Sequence, residues 1–358
     1  MRRIAYFDNA RAILIILVVF GHMMSGYLKN NDLISDVYLF IYTFHVPAFV
    51  LISGYFAKKV YEQGYFTKLV KRLLVPYIIF QVLYTLYYDF FFKDIDSYSL
   101  FIPRWALWFL LSLFCWNVLL YFFGKMKYGL IIAVLISLFI GYDAEVDGFL
   151  SLSRTFYFFP FFLAGYHMQL HHFKRLKTGL FPVIGIIMAV AGFVFIARYM
   201  PLDYRFLLLG KRPYEQITDM VEYAALMRLG AYGIQFLAVF TFFTLVPKKQ
   251  NVLTAVGRTT MVVYLLHMAV VRWFHEDPFK QYLLETSHYW ILFVMSLLIV
   301  YFLSRRPAVQ FFNLLLLRKT SLNFNLWTWA GKCFPGKTTA EQWNRSKRGI
   351  GGNEPGSF

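Results

Sequence analysis

Residues 8–22, DNARAILIILVVFGH, and residues 42–59, YTFHVPAFVLISGYFAKK, decide how this chain is read. The first places Arg11 and His22 on one long apolar helix, and the second places His45 on the next. Ionisable side chains inside apolar spans are costly, so they point to function by default. Arg11 and His22 are eleven residues apart, so on a helix they fall about 20° apart in azimuth and roughly 16 Å apart along the axis. One face therefore offers a cation near the membrane surface and an imidazole deep inside. An anionic carrier bound at the first can present a reactive group at the second.

Composition agrees with a membrane location. Of 358 residues, 59% are hydrophobic, 21% aromatic and 15% charged, with a mean hydropathy of +0.53. Soluble domains carry about 25% charged residues. Apolar runs long enough to cross about 30 Å of hydrocarbon recur along the chain. The expected class is all-α, a polytopic transmembrane helical bundle of about ten spans, near residues 8–28, 36–57, 72–92, 105–123, 128–142, 155–170, 179–199, 228–246, 258–274 and 289–304. The fifth and sixth intervals are short. The apolar run after Arg2 and Arg3 resembles a signal peptide, but no A-x-A-like site follows, and it is expected to be a retained first helix.

The net charge of +17 sits mainly in loops and termini, which implies a lipid bilayer and not nucleic acid as the partner. Lys58, Lys59, Lys68, Lys71 and Arg72, then Lys125 and Lys127, Lys174, Arg175 and Lys177, and Lys248 and Lys249 fall in alternate loops. By the positive-inside rule these loops and both termini are cytoplasmic. Residues 201–227 form the longest loop, expected outside. Residues 1–318 read as the membrane domain and 319–358 as a polar, disordered cytoplasmic tail. Cys115 and Cys333 show no disulfide or metal spacing.

Each candidate residue has a plainer alternative. His22 can act as a base or simply bond a neighbouring helix. Arg11 can bind an anion or snorkel and pair with Asp8. Lys68, Lys71 and Arg72 can clamp phosphates or anchor the cytoplasmic face. His45 lies at nearly the depth of His22, before Pro47. His267 and Tyr264 share one side of the ninth span, and Trp108 is a further cavity candidate beside the commoner interfacial role. Arg258, nine residues from His267, falls about 180° round a continuous helix and makes no matching track. Ser53 lacks an adjacent base, and Gly54 is read as permitting close packing. His171-His172 lacks clustered ligands and is not read as a metal site. P-loop, G-x-S-x-G, H-E-x-x-H and dinucleotide motifs are absent.

The chain resembles the acyltransferase-3 family of integral membrane acyltransferases, and within it the fucose 4-O-acetylase-like branch. The resemblance rests on Arg11, ten residues, then His22; on FHVPAFVLISGYF at 44–56; on Lys68-x-x-Lys71 with Arg72, where lysines replace arginine; and on LWFLLSLF at 107–114 and GRTTMVVYLLH at 257–267. It implies transfer of an acyl group, usually acetyl, from cytoplasmic acyl-CoA (acetyl-CoA as the expected donor) to a hydroxyl of a cell-surface or secreted carbohydrate at the bacterial cytoplasmic membrane. His22 is implied as the catalytic residue, with Arg11 and the basic element Lys68, Lys71 and Arg72 as donor contacts and no permanently bound cofactor. The alternatives are a transporter or flippase for a glycan or lipid-linked sugar, and a scaffold in polysaccharide assembly. Proton-coupled transport often uses deep carboxylates, and the sequence places none well inside a span.

Overall fold

The computed structural model describes residues 3–93, 99–144 and 149–316, which contain helices and no strand. The principal helices are α1 (Ala5–Met24), α2 (Asp32–Tyr55), α3 (Tyr65–Phe92), α4 (Trp108–Phe123), α5 (Gly129–Ile140), α6 (Leu152–His167), α7 (Phe181–Tyr199), α8 (Ala224–Leu245), α9 (Thr260–Trp273), α10 (Trp290–Leu303) and α11 (Arg306–Leu315). Each of the ten expected intervals holds one of α1 to α10. Six helical segments among the described residues are long and apolar enough to cross a membrane, or seven if α10 and α11, bent by 65°, count as one. By length and composition the expected count of ten is thus not confirmed. Of α1 to α10, the four outside the count of six are α5, α6, α9 and α10, of 12, 16, 14 and 14 residues, which extend only about 18–24 Å, short of about 30 Å of hydrocarbon. The tail 319–358, with Cys333, lies outside the described residues.

α1 and α2 run through the centre. In their most apolar windows 61% and 72% of residues are buried, against 11% in α7, which therefore sits at the rim. Asn31 caps α2 by accepting the Ile34 N–H at 3.0 Å, satisfying one of the helix's orphan donors. The helix continues past Pro47, which removes one donor without breaking it. Gly54 of α2 faces the Phe162 carbonyl of α6, and Gly165 of α6 faces the Leu51 carbonyl of α2. A side chain at either position would collide with backbone, so the two glycines permit this crossing.

The N-terminal end of α1 is pinned to a segment far away in sequence. Tyr6 donates to the Phe243 carbonyl at 2.7 Å. Asn9 donates to the carbonyls of Pro247 and Lys249 at 2.9 and 2.8 Å and accepts from Thr254 at 2.6 Å. Gly257 closes the short helix Val252–Gly257 against the Asp8 carbonyl. These contacts bring Arg258 beside the start of α1.

Candidate active site

A cavity of about 810 Å³ runs alongside α1. At the N-terminal end of that helix it is lined by Arg3, Asp8, Arg11, Arg72 and Arg258, four cations and one carboxylate. Further along it meets His22, Tyr42, His45 and Tyr264, and then Trp105, Trp108, Arg154 and Lys211. The helical geometry expected for Arg11 and His22 is realised, because both line this one space.

Arg11 pairs with Asp8 and also lines the cavity. Its guanidinium lies 3.6 Å from the Asp8 carboxylate and 4.5 Å over the Phe56 ring, and it still faces the cavity. Arg72 joins it at the rim, but Lys68 and Lys71 are exposed and outside the lining. Successive residues on a helix diverge by about 100°, which carries Lys71 away when Arg72 points inward. A π-turn covers Val70–Leu74, immediately after the turn that carries Lys68. Lys58 is also spent elsewhere: its ammonium donates to the carbonyls of Tyr166 and Met168, and burial lowers its pKa from the ordinary lysine value.

Arg258 and His267 share no track, since Arg258 lines the cavity and His267 does not, but the reason is a break in the chain and not the azimuth of one continuous helix. The chain breaks at Arg258–Thr259, between Val252–Gly257 and α9, so the 180° argument does not apply and the side chain lines the cavity with Arg11. Asp8 feels Arg11, Arg3 and Arg258 together. The Nε of Arg258 and Oδ2 of Asp8 are buried without a hydrogen-bond partner among the described residues. The local signal was Gly257, whose missing side chain permits the contact with α1.

The imidazoles occupy distinct places. His22 follows Gly21, whose missing side chain admits the Tyr42 ring: an added Cβ would lie 2.9 Å from it. Tyr42 stacks on Tyr38 at 3.8 Å and meets the His45 ring edge-on at 4.4 Å. His45 Nδ1 lies 2.8 Å from the Ile41 carbonyl. A carbonyl only accepts, so Nδ1 carries the proton and Nε2 the lone pair in neutral His45. His267 does not line the cavity. It is fully buried behind His22, with ring centroids 5.3 Å apart. Tyr264, about 60° round α9 from it, does line the cavity, and its hydroxyl donates to the Ala106 carbonyl. Trp108 stacks with the Arg154 guanidinium at 4.7 Å. Ser53 also lines the space, but its hydroxyl donates to the Phe49 carbonyl at 2.8 Å. The His171 and His172 rings are 4.0 Å apart, yet no group of three or more His, Cys, Asp or Glu side chains suited to a metal occurs among the described residues.

A helical membrane protein with an arginine-rich cavity mouth and a deep imidazole on one helix face is what these features define. The chain belongs to the acyltransferase-3 family, whose acyltransferase domain matches residues 4–305. It is also similar to the nodulation protein NolL of Sinorhizobium fredii (strain NBRC 101917 / NGR234), with 39% identity over 77 residues, 20% of this chain and 21% of that protein. The chain therefore spans about a fifth of the length of that relative. No solved structure matches the chain at a significant level.

Proposed function

We propose that this protein moves an acyl group, acetyl in the simplest case, from cytoplasmic acyl-CoA to a hydroxyl of a cell-surface or secreted carbohydrate. It belongs in this reading to the fucose 4-O-acetylase-like branch, works in the bacterial cytoplasmic membrane and keeps both termini cytoplasmic, with residues 1–318 as the membrane domain. The observation that carries the reading is the single cavity joining Arg3, Arg11, Arg72 and Arg258 to His22. Guanidinium groups are well matched to phosphates, and a thioester held there can extend along α1 toward His22, roughly 16 Å away. The sugar enters from the side of Trp105 and Trp108. Asp8, the carboxylate among the lining residues, lies at the arginine end, which gives little support to the transport alternative.

In the proposed reaction a ring nitrogen of His22 takes the proton of the acceptor hydroxyl. The oxygen forms a bond to the thioester carbonyl carbon, and the carbon–sulfur bond breaks. The imidazolium then gives its proton to the departing thiolate, so the products are the acetyl ester and free coenzyme A. Ser53 is tied back to its own helix, which favours direct transfer over an acyl-serine. His45 lines the cavity and orients the acceptor.

General-base catalysis contributes about 10²- to 10⁴-fold. His22→Ala is expected to lose that much in kcat while still binding acetyl-CoA, and His45→Ala to lose less. The assay incubates purified protein with acetyl-CoA and candidate glycans and reads the products by mass spectrometry. Normal turnover by His22→Ala, with His45→Ala inactive, would move the base to His45.

A further inference from the structure

We propose that His267 is a positioning residue for His22, accepting a His22 ring N–H on its Nε2 and leaving the other His22 nitrogen, with its lone pair, facing the cavity. This rests on the reading of His22 as the base. His267 is 0% exposed and outside the cavity lining, so substrate does not reach it. Its Nδ1 lies 2.8 Å from the Tyr264 carbonyl and 3.1 Å from that of Val263. Both partners only accept, so Nδ1 carries the proton, and Nε2 of the neutral ring is an acceptor and nothing else. That Nε2 is buried and has no hydrogen-bond partner among the described residues, a costly state for a polar atom.

Three tyrosine hydroxyls that reach α9 or its neighbours are committed to backbone carbonyls. Tyr264 donates to Ala106, Tyr84 to Leu265 and Tyr87 to Ala269. The donor-bearing ring that lies against His267 is that of His22, with ring centres 5.3 Å apart at an interplanar angle of 44°. That separation is what an N–H···N bond between two imidazoles spans, with about 3 Å between nitrogens, and rotation of the His22 ring about its own axis brings the N–H to bear. Because His267 can only accept, the bond has one direction and selects one tautomer of His22. When His22 takes the hydroxyl proton, the same bond becomes charge-assisted and strengthens. His267 keeps its own proton throughout, and no charge is added behind the base.

The test compares His267→Gln, which keeps an acceptor oxygen, with His267→Leu, which has none, each alone and combined with His22→Ala. Removing a hydrogen-bond partner that orients a functional imidazole typically costs about 10- to 100-fold. His267→Leu is expected to lose that factor in kcat, with the KM for acetyl-CoA and for the acceptor within about twofold. His267→Gln is expected to recover most of it. In the His22→Ala background neither substitution should lower the residual rate further, because the two residues act as one unit. Should His267→Leu not fold, His267→Met carries the same comparison. A normal kcat in His267→Leu overturns the proposal, and so does an equal loss with and without His22, the signature of a purely structural role. Normal turnover in His22→Ala would instead remove the base assignment beneath it.

Discussion

Gly257→Ala is a perturbation of the proposed donor site that changes no charge. A Cβ at this position would fall inside the Asp8 carbonyl group, a piece of backbone with no freedom to rotate away. Carbon and oxygen need about 3.5 Å, so the two backbones must part by more than about 1 Å. They are held together by the Asn9 bonds to Pro247, Lys249 and Thr254, so the strain is not relieved cheaply. Overpacking of this kind costs about 1–3 kcal/mol of stability. Arg258 is the next residue and moves with the displaced turn, away from Arg11. A hydrogen bond to a charged group contributes about 1.5–3 kcal/mol, which converts to a roughly 10- to 150-fold weaker Kd for acetyl-CoA. The assay is equilibrium binding of acetyl-CoA to purified protein, with a thermal melt on the same sample. Gly230→Ala is the control, since a Cβ there meets nothing within 4 Å. Wild-type affinity and melting temperature in Gly257→Ala would refute both the packing argument and the assignment of Arg258 to the donor site.

Arg72→Ala should raise the KM for acetyl-CoA and make binding less sensitive to salt, whereas Lys71→Ala, outside the cavity lining, should leave that KM within about twofold; equal effects would return both residues to the clamp. Lys177 donates to the Thr244 carbonyl, and burial, with a smaller contribution from Lys248, pulls its pKa down from 10.5 to about 8. With the folded value below the unfolded one, the burial penalty is fully present below pH 8 and is relieved as pH rises from 8 toward 10.5, so stability rises through that window and the slope should vanish in Lys177→Met. Competitive amine labelling followed by mass spectrometry should find half-maximal reactivity of Lys177 near pH 8, and a midpoint at the ordinary lysine value would contradict this environment.

The sequence by itself determined the helical class, the places of the principal helices and the alignment of Arg11 with His22. Those follow from apolar run length and from the rigid 3.6-residue turn, which act within one segment. Gly54 was legible as a packing glycine for the same reason: a small residue in an apolar run signals close approach, although not to which partner. The count of spans was not legible in this way. Hydropathy marks an apolar segment without giving its helical length, and α5, α6, α9 and α10 are each shorter than a full span.

Only the tertiary structure decided which cations share the cavity with Arg11. Arg258 arrives there because Asn9 and Thr254, 245 residues apart, bond to each other, and because the chain turns at Arg258–Thr259 instead of continuing one helix. Arg72 lines the cavity while Lys68 and Lys71 do not, and no motif in KLVKRLL announces which of the three cations faces inward or that a π-turn falls there. His267 was recognisable as a mid-depth imidazole, but its place behind His22 instead of inside the cavity depends on how α9 is rotated against α1. That rotation is set by contacts between distant segments, and a single helix carries no record of it.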